Sequence, residues 1–203
     1  MYRKTLVAGT VLALFAGVSL AQSFDVVVVG SGGAGLSAAI MAKEAGSSVV
    51  VLEKMPYLGG NSNFASGGMN AACTKQQIAG GVTNDSPEIF YQDTMKGGHN
   101  LNNPALLKTL TENARYAEEW LVDLGAKFCF RKGRGGGQSV ARGHGPCDGS
   151  AVGPEVLRVL TARLKADKVE ILKNHQVVDI LMKDGAVAGV KVKTAKGTET
   201  IDT

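Results

Sequence analysis

Residues 25–53 read DVVVVGSGGAGLSAAIMAKEAGSSVVVLE, and the order of residue types along this stretch decides the fold. Val26 to Val29 form an uninterrupted apolar run, as suits a parallel strand covered on both faces. Gly30, Gly32 and Gly35 then match G-x-G-x-x-G, which meets three demands: a tight turn, close approach of backbone to a pyrophosphate, and close helix–strand packing. From Ala34 to Ala45 the spacing of Leu36, Ala39, Ile40 and Lys43 predicts one face of a helix. The free N–H groups at its start, around Gly33 and Ala34, suit a diphosphate. A second strand, Val49 to Leu52, ends at Glu53, whose carboxylate is placed to accept hydrogen bonds from ribose hydroxyls. Many ordinary βαβ units have a glycine-rich turn. With its strand, helix and acid at the expected distances, this one predicts an adenine dinucleotide site. The acid disfavours a 2′-phosphate and leaves NAD or FAD.

The next segment tilts that choice. An NAD-binding unit runs from its second strand into another helix, whereas here Lys54 leads into MPYLGGNS (55–62) and then ASGGMNAA (65–72). The glycine pairs Gly59-Gly60 and Gly67-Gly68 predict an extended loop able to lie flat against a large planar ligand, and the alternative is a flexible surface loop. Asn61 and Ser62 offer side-chain hydrogen bonds to phosphate or ribitol oxygens.

These residues resemble the FAD-binding half of the fumarate reductase/succinate dehydrogenase flavoproteins, above all the soluble periplasmic branch of flavocytochrome c fumarate, urocanate and methacrylate reductases. Further matches are DTMKGGHN (93–100), the segment Pro104 to Ala126, and GQSVARGHGP (137–146). The resemblance implies an α/β, Rossmann-like FAD-binding domain over residues 22–203, a parallel sheet with an added antiparallel β-ribbon. It implies FAD held by Gly30, Gly32, Gly33, Ala34, Gly35, Glu53, Lys54, Gly60, Asn61, Ser62, Gly67 and Gly68, with the backbone of Val177 against the adenine. The implied reaction is hydride transfer from FAD to the C=C bond of an α,β-unsaturated carboxylate. The family's catalytic His and Arg residues and its capping domain fall beyond the equivalent of Thr203, so no catalytic residue is assigned, and the chain is expected to be truncated. A non-catalytic FAD-binding fragment and a dehydrogenase or oxidase of the same superfamily are the alternatives.

Met1 to Ala21 reads as an export signal: Arg3 and Lys4, an apolar stretch from Thr5 to Val18, then Ser19-Leu20-Ala21. The apolar stretch is too short for a stable membrane span, and a retained anchor is the alternative. A periplasmic location follows. Removing Arg3 and Lys4 takes the net charge from +4 to +2, so the mature chain is nearly balanced and no nucleic-acid partner is implied. Arg131, Lys132, Arg134 and Arg142 read as a solvated loop, with an anion-attracting rim as the alternative. Cys73, Cys129 and Cys147 show no C-x-x-C or C-x-x-C-H spacing, so neither zinc nor haem is expected, and they read as small buried residues. A separate c-type cytochrome is then the expected electron donor.

Ser86-Pro87 and Asn103-Pro104 each predict a helix start. The second helix carries Leu106, Leu107, Leu110, Ala114, Ala117, Trp120, Leu121 and Leu124 as its apolar face and stops at Gly125. Residues 131–153 are glycine-dense and read as a long functional loop, in which His144 is a structural hydrogen-bonding residue or, alternatively, a group facing the flavin. A helix from Gly153 to Lys165, a short parallel strand at Val169 to Leu172 and a hairpin about Lys183-Asp184-Gly185 follow, with a last strand at Thr198 to Ile201. Gly135 stands where the fumarate reductase pattern often carries a methionine, which predicts room for a substrate bulkier than fumarate.

Overall fold

β1 (Val26–Val29), α1 (Gly33–Glu44) and β2 (Val49–Glu53) form the expected βαβ unit, in a computed structural model that describes residues 23–203. The export signal expected at Met1 to Ala21 lies outside the described residues. A short 3-10 helix (Gly60–Phe64), β3 (Met69–Asn70), α2 (Lys75–Ala79), α3 (Pro87–Gly97) and α4 (Pro104–Asp123) come next. β4 (Phe128–Arg131), β5 (Gly143–Pro146), α5 (Val152–Ala166) and β6 (Glu170–Lys173) precede a ribbon of β7 (Gln176–Lys183), β8 (Ala186–Thr194) and β9 (Gly197–Asp202).

The strands form three sheets. β2 lies between β1 and β6 and runs parallel to both. All five of its residues are buried, because each face is covered by a different layer. Val49 and Val51 join Leu36 and Ile40 of α1 and Leu157, Leu160 and Leu164 of α5. Val50 and Leu52 pack against Val190, Val192 and Ile201 of the ribbon. Burying each such side chain contributes roughly 1.5–3 kcal/mol, so β2 anchors both layers. β1 departs from expectation: Val29 is 58% exposed. Among the described residues β1 pairs with β2 alone and sits at the sheet edge, so its end is not covered on both faces.

Both helix starts form as predicted. Ser86 Oγ accepts the Ile89 N–H (3.1 Å), and Asn103 Oδ1 accepts those of Ala105 and Leu106 (3.0 and 3.2 Å), with Pro87 and Pro104 in the first turns. The inward face of α4 is corrected. Leu107, Thr111, Ala114, Glu118 and Leu121 are buried, while Leu106 and Leu110 are exposed. Glu118 shows no partner for either carboxylate oxygen, and burial raises its pKa to about 7, with Glu119 adding to the shift.

The stretch expected as one long loop instead supplies β5 and the end of β4, which join β3 in an antiparallel sheet, Met69 opposite His144 and Phe130 opposite His144. Arg142 is corrected as well: it is fully buried, not part of a solvated loop or rim. It donates from Nε and Nη2 to Asp85 (3.0 and 2.7 Å) and from Nη1 to Asp93 (2.7 Å) and Gln138, and stacks 5.0 Å over the Phe90 ring. Two carboxylates and an aromatic face offset the cost of burying the guanidinium. Cys129 and Cys147 are likewise not buried apolar residues. They are exposed and joined in a disulfide that closes the β4–β5 hairpin, leaving Cys73 as the free thiol. Its S–H meets the Asp85 carbonyl at 3.2 Å.

Thiol titration of the denatured protein is expected to find one thiol per chain before reduction and three after. Replacing Cys129 and Cys147 by serine should lower the unfolding free energy by about 3 kcal/mol in a urea titration. The Glu118 carboxyl keeps its proton to higher pH folded than unfolded. Stability should therefore fall as pH rises from 4.5 to about 7 and then level off, by up to about 3 kcal/mol. Urea midpoints across that range should lose this slope in Glu118→Gln.

Candidate functional site

The end of β1, the start of α1 and the end of β2 meet in one place. Gly30, at φ +98°, turns the chain, and its N–H extends the ladder to the Leu52 carbonyl (2.8 Å). A Cβ on Gly35 would lie 2.0 Å from the Gly30 carbonyl oxygen, so only glycine lets α1 start this close to β1. Gly32 answers to neither demand. Its φ of −67° suits any residue, and a Cβ there would meet nothing nearer than 3.7 Å. A methyl group there would make only ordinary van der Waals contact with Ser62 Oγ and the Gly59 carbonyl, so the chain's own packing does not require glycine. The first closed turn of α1 runs from the Leu36 N–H to the Gly32 carbonyl (3.0 Å), so the Ala34 and Gly35 N–H groups have no acceptor one turn back. Together with the positive end of the helix, they suit an anionic diphosphate.

The GGNS segment forms the 3-10 helix and not an extended loop, because Gly59 (φ +106°) and Gly60 (φ +49°) reverse the chain at its start. It folds back over the glycine turn. Gly59 forms a bridge with Gly32, and Ser62 Oγ accepts the Gly33 N–H (3.0 Å). Asn61 and Lys54 are exposed beside this turn. Gly67 and Gly68 sit elsewhere, on the approach to β3, where a Cβ on Gly68 would lie 2.3 Å from the His144 carbonyl oxygen. Val177 opens β7, which reaches the acid end of β2 through His175 N–H to Glu53 C=O (2.9 Å) and Asn174 N–H to Met55 C=O (3.2 Å). Its side chain packs into the core shared by sheet and ribbon.

Glu53 is buried at 5% exposure. Its Oε1 accepts the Met55 N–H (2.8 Å), and its Oε2 accepts from Ser31. Burial opposes its ionisation. The Ser31 hydroxyl, the Met55 and Ser31 N–H groups and the Lys54 charge outweigh that and hold the carboxyl below its ordinary range. A carboxylate has about four acceptor positions, so one remains unfilled by the chain itself. The sequence reading missed Ser31 and took Met55 and Gly59 only as parts of a loop; the hydroxyl between the first two glycines was the available signal.

His144 is a structural residue. Its Nδ1 meets the Arg142 carbonyl (3.0 Å) and its Nε2 the Thr74 hydroxyl (2.7 Å). Burial lowers its pKa against the carbonyl contacts of Arg142 and Met69, which keeps the ring neutral with Nδ1–H donating. A cavity of about 610 Å³ between the starts of α3 and α4, lined by Pro87, Tyr91, Pro104 and Lys108, shares no residue with the glycine turn. No group of three or more His, Cys, Asp or Glu arranged to hold a metal occurs among the described residues.

The FAD binding domain family matches residues 25–203. A fumarate reductase (cytochrome) of Shewanella frigidimarina is 46% identical over 173 residues, 85% of this chain and 30% of that protein. An NADH:fumarate oxidoreductase of Klebsiella pneumoniae is 49% identical over 171 residues, 84% of this chain and 18% of that protein. The open conformation of a flavocytochrome c3 fumarate reductase superposes with a TM-score of 0.83 at 38% identity, over 89% of this chain and 32% of that one. The chain therefore spans a third or less of these relatives' lengths.

Gly32→Ala should separate ligand from fold. Its stability in urea should stay within about 1 kcal/mol of the parent, while FAD affinity, read by flavin fluorescence, falls more than about tenfold. Gly35→Ala should instead cost about 3 kcal/mol or more of stability.

Proposed function

The chain belongs to the FAD binding domain family, and from that premise we propose that it is the part of a periplasmic flavoprotein reductase that holds the adenosine-diphosphate end of FAD. The whole protein reduces the C=C bond of an α,β-unsaturated carboxylate. The observation that carries the reading is Gly32, whose missing side chain neither the backbone angle nor the packing requires. FAD, when bound, supplies hydride chemistry. The residues of this chain bind and orient. The Ala34 and Gly35 N–H groups face the pyrophosphate, Ser62 and Asn61 flank it, and Glu53 receives the ribose. Lys54 and the backbone of Val177 border the adenine, and Gly67 and Gly68 lie against the flavin side.

The reductase activity is drawn from the two relatives named as acting on fumarate. A separate c-type cytochrome is proposed as electron donor, in line with the relative named fumarate reductase (cytochrome). Residues 1–21 act as the export signal and residues 22–203 as the FAD-binding domain. The exposed Cys129–Cys147 disulfide suits an oxidising compartment and supports the periplasmic location. Among the described residues no helix is long and apolar enough to cross a membrane.

Reconstitution with FAD followed by oxidation of reduced viologen tests the proposal. This chain should take up the yellow cofactor, and the whole protein of which it is the FAD-binding part should turn over urocanate faster than fumarate or methacrylate. No flavin uptake by this chain would remove the binding role, and flavin uptake without turnover of any of the three acids by the whole protein would remove the reductase role.

A further inference from the structure

Ser31 lies between the first two glycines of the turn, has no exposed surface, and makes three hydrogen bonds. Its N–H and O–H both donate to Glu53 Oε2 (2.9 and 2.6 Å), and its Oγ accepts the Gly59 N–H (3.1 Å). A hydroxyl carries one proton, so the directions are settled: the proton points to the carboxylate and a lone pair to Gly59. Two donors fill Oε2, while Oε1 holds the single Met55 N–H (2.8 Å). Gly59 is confined from behind as well, since a Cβ there would lie 2.2 Å from Leu157 Cδ1 of α5. One hydroxyl thus joins the acid at the end of β2 to both turns that flank the diphosphate.

We propose that Ser31 is a positioning residue for the dinucleotide: it orients Glu53 so that Oε1 is the oxygen offered to the adenosine ribose, and it sets the gap between the glycine turn and the Gly59–Ser62 turn. The inference rests on FAD being the ligand of this site. Ser31 acts through Glu53 and Gly59 and need not touch the cofactor. Alanine would leave the Gly59 N–H without its acceptor and Glu53 Oε2 with one donor fewer, in surroundings water does not reach. The hydroxyl is also the foremost of the contacts that keep the carboxylate ionised against its burial. Without it the carboxyl takes up a proton at higher pH, and binding that requires the ionised form is lost earlier as pH falls.

The test is FAD affinity of the full chain, by flavin fluorescence across a pH series, for the parent, Ser31→Ala and Glu53→Gln, with a urea midpoint for each. Ser31→Ala is expected to weaken FAD roughly 10- to 100-fold at neutral pH. The acid-side loss of affinity should move to higher pH, and Glu53→Gln should abolish that pH dependence. Should the alanine variant fail to fold, Ser31→Cys, near in size and a poor donor, is measured in its place with the same expectations. An unchanged affinity with an unmoved acid limb, whatever the stability, overturns the role of Ser31. A parent protein that takes up no FAD overturns the cofactor site itself, so the two failures are told apart.

Discussion

A buried carboxylate has to be met by donors, and the way Glu53 is met sets where the whole binding face lies. Its side chain draws in the turn after β1 through Ser31 and the chain after β2 through Met55. Its backbone carbonyl takes the His175 N–H, which ties the entry of the ribbon to the same point. Three segments far apart in sequence are held at one residue. The ribbon then covers Val50 and Leu52, so the satisfaction of the acid and the burial of the central strand reinforce one another.

The glycines of the turn divide into fold and ligand. Gly30 is required by a backbone angle and Gly35 by a clash with the strand, so both would be needed in a protein that bound nothing. Gly32 is required by neither. The far sheet has its own support. Arg142 holds Asp85 at the start of α3, Asp93 within it and the 138–142 segment, and β5 passes that order to β3 and so to Gly67 and Gly68. Removing one member would leave a charge buried without its partner, which costs far more than the intact network contributes.

The βαβ unit and the ribbon were legible because their signals are local: an apolar run, a glycine turn and a hairpin each announce themselves within a few residues. β5 was not legible. GHGP carries no alternation, and the run becomes a strand only because β3 and β4 lie on either side of it. Arg142 sat among arginines and glycines that look solvated, and its two carboxylates come from about fifty residues earlier. The inward face of α4 was misplaced for a related reason. Thr111 and Glu118 are polar, yet they lie on the buried stripe, while Leu106 and Leu110 face outward. Composition marks an apolar face, but the position of the neighbours decides which face is covered.

By itself the sequence determined that a parallel βαβ unit with a glycine turn and a terminal acid exists here, and that the ligand it suits is an adenine dinucleotide. Those properties depend on residue order over short spans, where steric rules act directly on neighbouring residues. Tertiary structure alone decided that Ser31 orients the acid, that Gly59 and Ser62 fold onto the glycine turn, that Arg142 is an internal strut, and that Cys129 is bonded to Cys147. Each of these is a contact between distant segments. The hydrogen-bonded partners are chosen by which buried donors and acceptors remain unmet once the layers have packed, and the two cysteines meet because β4 and β5 pair side by side.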